Sequence, residues 1–132
     1  MLQNYPISES VPPNSSRVYF PSGRFHTPIK IVRIYPNFAI NTQRLLKVFP
    51  YVTANYGYDS TSSGADQTLP GALQLLRGDG YIVGDGQEGE RTIHVNRTFP
   101  AGMWLAIRGV NADVSNNHTL DFSFEIEELT NG

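Results

Sequence analysis

Residues 119–129 read Thr119-Leu120-Asp121-Phe122-Ser123-Phe124-Glu125-Ile126-Glu127-Glu128-Leu129. Leu120, Phe122, Phe124 and Ile126 alternate one for one with Asp121, Ser123, Glu125 and Glu127. Successive side chains of a strand point to opposite faces, so this period of two predicts a strand with one buried face and one wet face. The dry face carries two phenylalanines and two aliphatics, and the wet face is almost wholly acidic. Upstream, Phe99-Pro100-Ala101-Gly102 is a turn signal that leads into Met103-Trp104-Leu105-Ala106-Ile107-Arg108, with a polar loop over 109–118. The stretch 99–129 is therefore expected to form two strands that close the core of a β-sheet. Nothing in it looks like a reaction centre. Its acidic face, Asp121, Glu125 and Glu127, is expected to be solvated, the alternative being an interface with a basic partner.

Outward from this stretch, further short strands are expected. Residues 91–97 alternate, with Ile93 and Val95 inward and His94 and Asn96 outward. Residues 29–35, Ile29-Lys30-Ile31-Val32-Arg33-Ile34-Tyr35, are β-branched and aromatic between Pro28 and Pro36, and apolar on both faces, which places them toward the middle of a sheet. Residues 44–54 are similar, and Pro50 within them demands an edge, a bulge or a break. Residues 17–20 and 80–83 complete a set of about seven, with an eighth open. The segment 70–77, with Pro70 before it and Gly78 after it, is the one place for a short helix, although Leu73, Leu75 and Leu76 fit a strand as well. Trp104 falls on the face opposite Met103 and Leu105, so its strand is either buried on both sides or meets a partner there.

Strands this short, with no helix long enough to cross over between parallel neighbours, predict an all-β fold: a single antiparallel β-sandwich, jelly-roll-like, of seven or eight strands. The chain has 132 residues, enough for one domain with its own core. We read residues 17–132 as the sandwich. Residues 1–16 contain Pro6, Pro12, Pro13 and Asn14 and are read as an extended N-terminal arm, the alternative being a disordered tail. Residues 56–68 form a long loop of Gly, Ser, Thr and Asp around Tyr56 and Tyr58.

A net charge of -2 lacks the basic field that nucleic acid or an anionic membrane requires, so neither is expected as a partner. The absence of cysteine removes disulfides, thiolate catalysis and cysteine-bound zinc. The first residues, Met1-Leu2-Gln3-Asn4-Tyr5-Pro6, carry no secretory signal. His26, His94 and His118 stand on separate segments, and no Gly-x-Ser-x-Gly elbow or phosphate-binding glycine loop occurs. No enzyme and no cofactor are expected. Asp79, Asp85, Glu88 and Glu90 gather oxygen ligands on a glycine-rich segment and are the weak candidates for calcium, although their spacing is not that of an EF-hand loop. Arg77-Gly78-Asp79 matches an adhesion tripeptide, which three residues specify poorly. The residues with most to offer a partner are Tyr5, Pro6 and Ile7 on the arm, the loop tyrosines Tyr51, Tyr56 and Tyr58, and Trp104.

The run 99–108, the Asn-rich loop after it and the strand 119–129 together resemble the closing hairpin of small β-sandwich virion proteins of tailed bacteriophages, such as head decoration or cement proteins, which implies that the two strands pair. The resemblance covers about a quarter of the chain and is one of strand and turn. It implies a structural virion protein, assembled in the host cytoplasm, that binds other capsid proteins and stabilises the shell as a homo-oligomer. A carbohydrate-binding module is the alternative, with Tyr51, Tyr56, Tyr58 and Trp104 stacking on sugars and the acidic loop holding calcium.

Overall fold

In a computed structural model the chain is described over residues 2–40, 42–54, 72–76, 78, 80–84, 86 and 91–129. These form eight strands: β1 (Leu2–Val11), β2 (Ser15–Tyr19), β3 (Ile29–Asn37), β4 (Leu46–Thr53), β5 (Ala72–Gln74), β6 (Ile93–Phe99), β7 (Trp104–Asn111) and β8 (His118–Glu128). Two antiparallel four-stranded sheets result, ordered β1-β8-β3-β6 and β2-β7-β4-β5. The pairs nest: β1 with β8, β2 with β7, β3 with β6, β4 with β5. The first half of the chain thus lies antiparallel to the second as one long ribbon, wound into the double Greek key of a jelly roll. The expected sandwich is present, with eight strands.

β8 takes the interior of the first sheet as its alternation demands. Leu120, Phe122, Phe124 and Ile126 are almost fully buried, and Phe122 and Phe124 meet at 4.9 Å between ring centroids. Ile29, Ile31 and Ile34 of β3 join them, and Leu46, Val48 and Val52 of β4 with Leu105 and Ile107 of β7 close the core from the second sheet. Each such side chain, fully buried, is worth roughly 1.5–3 kcal/mol.

The expected hairpin over 99–129 is not one. β7 lies in the second sheet between β2 and β4, while β8 lies in the first. The reason is in β7 itself: Leu105 and Ile107 face the core, and Ala106 on the opposite face is equally inaccessible, so the strand needs cover on both sides. That opposite face of the second sheet carries a separate apolar cluster of Val18, Phe49, Tyr51 and Ala106. Gly109 sits where the sheets come close. A Cβ there would lie 2.7 Å from Leu120 Cδ1 and 3.0 Å from Val11 Cγ2.

Three prolines sit inside strands, each where a ladder is incomplete. Pro6 is on the edge strand β1. Pro36 lies beyond Ile34, where the pairing of β3 with β6 ends. Pro50 falls between the Val48–Ile82 bridge and the β5 ladder that starts at Tyr51, the break its presence required. Of the helix and the strand left open over 70–77, the described residues form a strand, β5, which pairs with β4 through Ala72, Leu73 and Gln74. The strand expected over 80–83 shrinks to the single bridge at Ile82. Residues 2–11, expected as an extended arm, are extended as β1 and lie along β8 over ten residue pairs.

Candidate interaction site

Three connections meet at one end of the sandwich: the β1–β2 turn, the β3–β4 loop and the β7–β8 loop. The β7–β8 loop is built on Asn111, whose side chain is 1% exposed. Its Nδ2 lies 3.0 Å from Val11 O, 3.2 Å from Pro12 O and 2.9 Å from Asn116 O, and its Oδ1 accepts the Asp113 N–H at 2.9 Å. Asp113 continues the scaffold: Oδ1 accepts from the Ser115 and Asn116 N–H groups, and Oδ2 lies 2.9 Å from His118 Nε2. These contacts, the Ser115 N–H first and His118 next, hold the Asp113 carboxyl down at about 2. The Asn14 N–H donates to Asp113 O at 2.8 Å, which ties the β1–β2 turn to this loop.

The β3–β4 loop is anchored in the same manner. Thr42, 2% exposed, donates through Oγ1 to Ala39 O, and the Ala112 N–H donates to Leu45 O at 2.9 Å. Gln43 and Arg44 take positive φ of 54° and 59°, a tight reversal that those hydrogen bonds hold. Between the two loops Ala39, Ile40 and residues 116–119 line a shallow groove of about 380 Å³. Asn111, Asp113 and Thr42 spend their polar atoms within this end, which also exposes two large apolar side chains, Ile40 at 69% and Val114 at 78%, beside the exposed Gln43, Arg44 and Asn117.

The outer face of the first sheet is different. Arg33 pairs with Glu125 across β3 and β8, the Tyr35 hydroxyl donates to Glu125 at 3.0 Å, and Asn37 Nδ2 donates to Asp121 at 3.1 Å. Lys30 stands opposite Glu127 in the register. The acidic face of β8 is thus matched largely from within the chain. A second groove, of about 450 Å³, crosses this face between Tyr35, Asn37, Asp121, Ser123, Pro6 and Arg91.

The residues expected to contact a partner are scattered by the fold. Tyr5 and Ile7 turn toward the chain's own core, with the Tyr5 ring edge-on to Phe25 at 5.5 Å, while Pro6 is exposed. Burial, helped by Glu128, raises the Tyr5 hydroxyl pKa. Tyr51 is 7% exposed and stacks on Phe49 at 6.3 Å, so its ring is not a surface platform. Trp104 is half-buried with the Arg24 guanidinium 6.0 Å from its ring. Tyr56, Tyr58, Arg77, Asp79, Asp85, Glu88 and Glu90 lie outside the described residues, and the calcium and adhesion readings with them. Among the described residues no group of three or more His, Asp or Glu is placed to hold a metal ion. His26 and His94 are exposed, and His118 belongs to the Asp113 scaffold. Asn111 and Asp113, which build the end, escaped the sequence reading. The Asn-x-Asp-x-Ser-Asn pattern of 111–116 is the signal that identifies them, because Asn and Asp side chains cap backbone N–H groups two residues on.

Fold and surface together define an antiparallel jelly-roll sandwich with an apolar-tipped loop end. No family model and no curated protein sequence matches the chain. Its fold is similar to a chain in the structure of infectious bursal disease virus Gx strain, with a TM-score of 0.47 and 10% sequence identity, over 99% of this chain and 32% of that one. The chain therefore spans about a third of the length of the one it matches.

Proposed function

We propose that this chain is a structural component of a virus particle that works through protein–protein contacts, in its specific form a decoration or cement protein seated on an assembled shell. The observation that carries the reading is the loop end. Asn111 and Asp113 hold its loops together from within while Ile40 and Val114 project into solvent, the arrangement of a rigid contact surface. The strand-and-turn resemblance of 99–129 to virion β-sandwiches points the same way. The partners are neighbouring particle proteins or further copies of the chain.

Light scattering of the purified chain over a wide concentration range tests this reading. A closed oligomer is expected, and Ile40→Ser with Val114→Ser weakens it by about tenfold or more while leaving the unfolding midpoint in place. An oligomer indifferent to both substitutions, or a chain monomeric throughout, overturns the role of this end.

The carbohydrate reading is favoured by one observation, the groove over the first sheet, where Tyr35, Asn37, Asp121 and Arg91 bring a ring, an amide, a carboxylate and a guanidinium together. A glycan array with and without chelator decides it. Binding lost on Tyr35→Ala supports a sugar site there, and no binding in either condition removes it.

A further inference from the structure

We propose that β1 is an exchangeable strand, and that two copies of the chain associate by each laying Leu2–Val11 along β8 of the other. This deepens the self-association of the proposed function and rests on that reading.

β1 forms an edge of its sheet, where among the described residues it pairs with β8 alone. Its ten-residue ladder runs from Leu2 opposite Glu127 to Val11 opposite His118. What it contributes to the core is modest: Tyr5 and Ile7 are half-buried, Val11 alone is fully buried, and Leu2 is 49% exposed. The surfaces it covers all belong to later parts of the chain: β8, Phe25, and the Asn111 amide that reaches Val11 O. A second copy presents every one of these surfaces identically. An exchanged strand therefore keeps its ladder, its ring contact and its anchor, and only the hinge changes.

The hinge is Pro12-Pro13-Asn14. Val11 and Pro12 each precede a proline, which biases both toward extended backbone. The reversal into β2 is completed at Asn14, which takes a left-handed φ of 49°. An L-residue adopts that region at a cost, least for Asn, and straightening the hinge removes it. Against this stand the bonds that hold the turn closed, Ser15 Oγ to Pro12 O at 2.7 Å and Asn14 N–H to Asp113 O at 2.8 Å. A stiff three-residue hinge with a strained residue, joined to an edge strand whose contacts are all available on a neighbour, is the geometry that makes exchange low in cost.

Because the chain has no cysteine, disulfide trapping reads the exchange directly. Ser8 and Asp121 are opposed in the β1–β8 ladder and both exposed, so Ser8→Cys with Asp121→Cys forms a bond within one chain when β1 is closed and between two chains when it is exchanged. Concentrated protein is oxidised and run on a denaturing gel without reductant. A covalent dimer is expected, and adding Asn14→Gly, which relieves the turn, lowers its fraction by about fivefold. A bond found only within single chains at every concentration refutes the exchange. Should light scattering then still show an oligomer, the structural role stands and the exchange alone fails.

Discussion

Asn111 sits where the β7–β8 loop, the β1–β2 turn and the core meet, and its replacement tests whether that end is the rigid scaffold described. Truncation to Ala removes the amide that faces Val11 O, Pro12 O and Asn116 O and the oxygen that accepts from the Asp113 N–H. A net intramolecular hydrogen bond is worth about 1 kcal/mol, and a buried partner left without one costs about 1–3 kcal/mol. The site is 1% exposed, so water does not readily replace the amide. Asn116 and Asp113, nearer the surface, can turn to solvent. The Val11 carbonyl is held in its strand, and we expect a total loss of about 2–3 kcal/mol from two or three lost bonds. Urea unfolding at neutral pH measures it as a lower midpoint with unchanged slope. Hydrogen exchange should show the loss of protection concentrated in 11–15 and 111–118. Asn111→Asp places a carboxylate against carbonyl oxygens and is expected to cost at least as much. A loss below about 1 kcal/mol for Asn111→Ala would refute the scaffold, since a loop held elsewhere tolerates the change.

Two further outcomes follow from the same geometry. Asp113 has its folded pKa depressed from 3.8 to about 2, so it contributes stability that is complete above the unfolded value and is lost as pH falls through the folded one. The unfolding midpoint should fall between about pH 5 and pH 2, and Asp113→Asn should flatten that part of the curve; an unchanged slope in the variant removes the assignment. Gly109→Ala sets a methyl group against Leu120 Cδ1 at 2.7 Å and Val11 Cγ2 at 3.0 Å. Overpacking of about 1–3 kcal/mol outweighs the gain of about 0.5–1 kcal/mol from the less flexible residue, so thermal unfolding should come several degrees earlier. A variant more stable than the parent would show that the sheets have room to part.

The sequence made the sandwich legible wherever a strand lies between a dry face and a wet one. In β8 four apolar residues alternate with four polar ones, and the structure buries the first set. In β3, Pro28 marks the start closely, while Pro36 falls inside the strand, one residue before its end. What periodicity cannot express is which strand lies beside which. The adjacent segments 103–108 and 118–128 look like a hairpin because they follow one another, yet they occupy opposite sheets. β7 carried the clue in Trp104, Ala106 and Ile107, apolar residues of both parities, since such a strand cannot be wet on either side. The edge strand β1 was hard to see as a strand for the opposite reason. An edge buries little, so Tyr5 and Ile7 are its main apolar marks, and Pro6 between them argues against a central strand without arguing against an edge. The candidate site was less legible still. Aromatic residues offer contact chemistry in any sequence, but burial depends on tertiary neighbours, and Tyr51 is spent on Phe49. The side chains that do shape the interaction end, Asn111, Thr42 and Asp113, act through backbone groups of distant segments and announce themselves only as turn formers.

The nested pairing also explains why the contacts of this protein should be sought at an end and an edge. In a ribbon folded so that β1 meets β8 and β4 meets β5, the chain's beginning and its last strand become neighbours in one sheet. The ladder of β1 joins residues more than a hundred positions apart, and closing so long a loop is costly before any contact rewards it. This edge strand is therefore expected to add late, after β3, β7 and β8 have built the core. A strand that arrives last, on a groove already formed, is the element for which the same groove on a neighbouring copy competes most directly. The outer face of the first sheet offers no such opening, because Arg33, Tyr35 and Asn37 already answer the carboxylates of β8. The exchange of β1 and the contacts of Ile40 and Val114 thus use different parts of the molecule, and an oligomer built on both is expected to weaken on substitution at either.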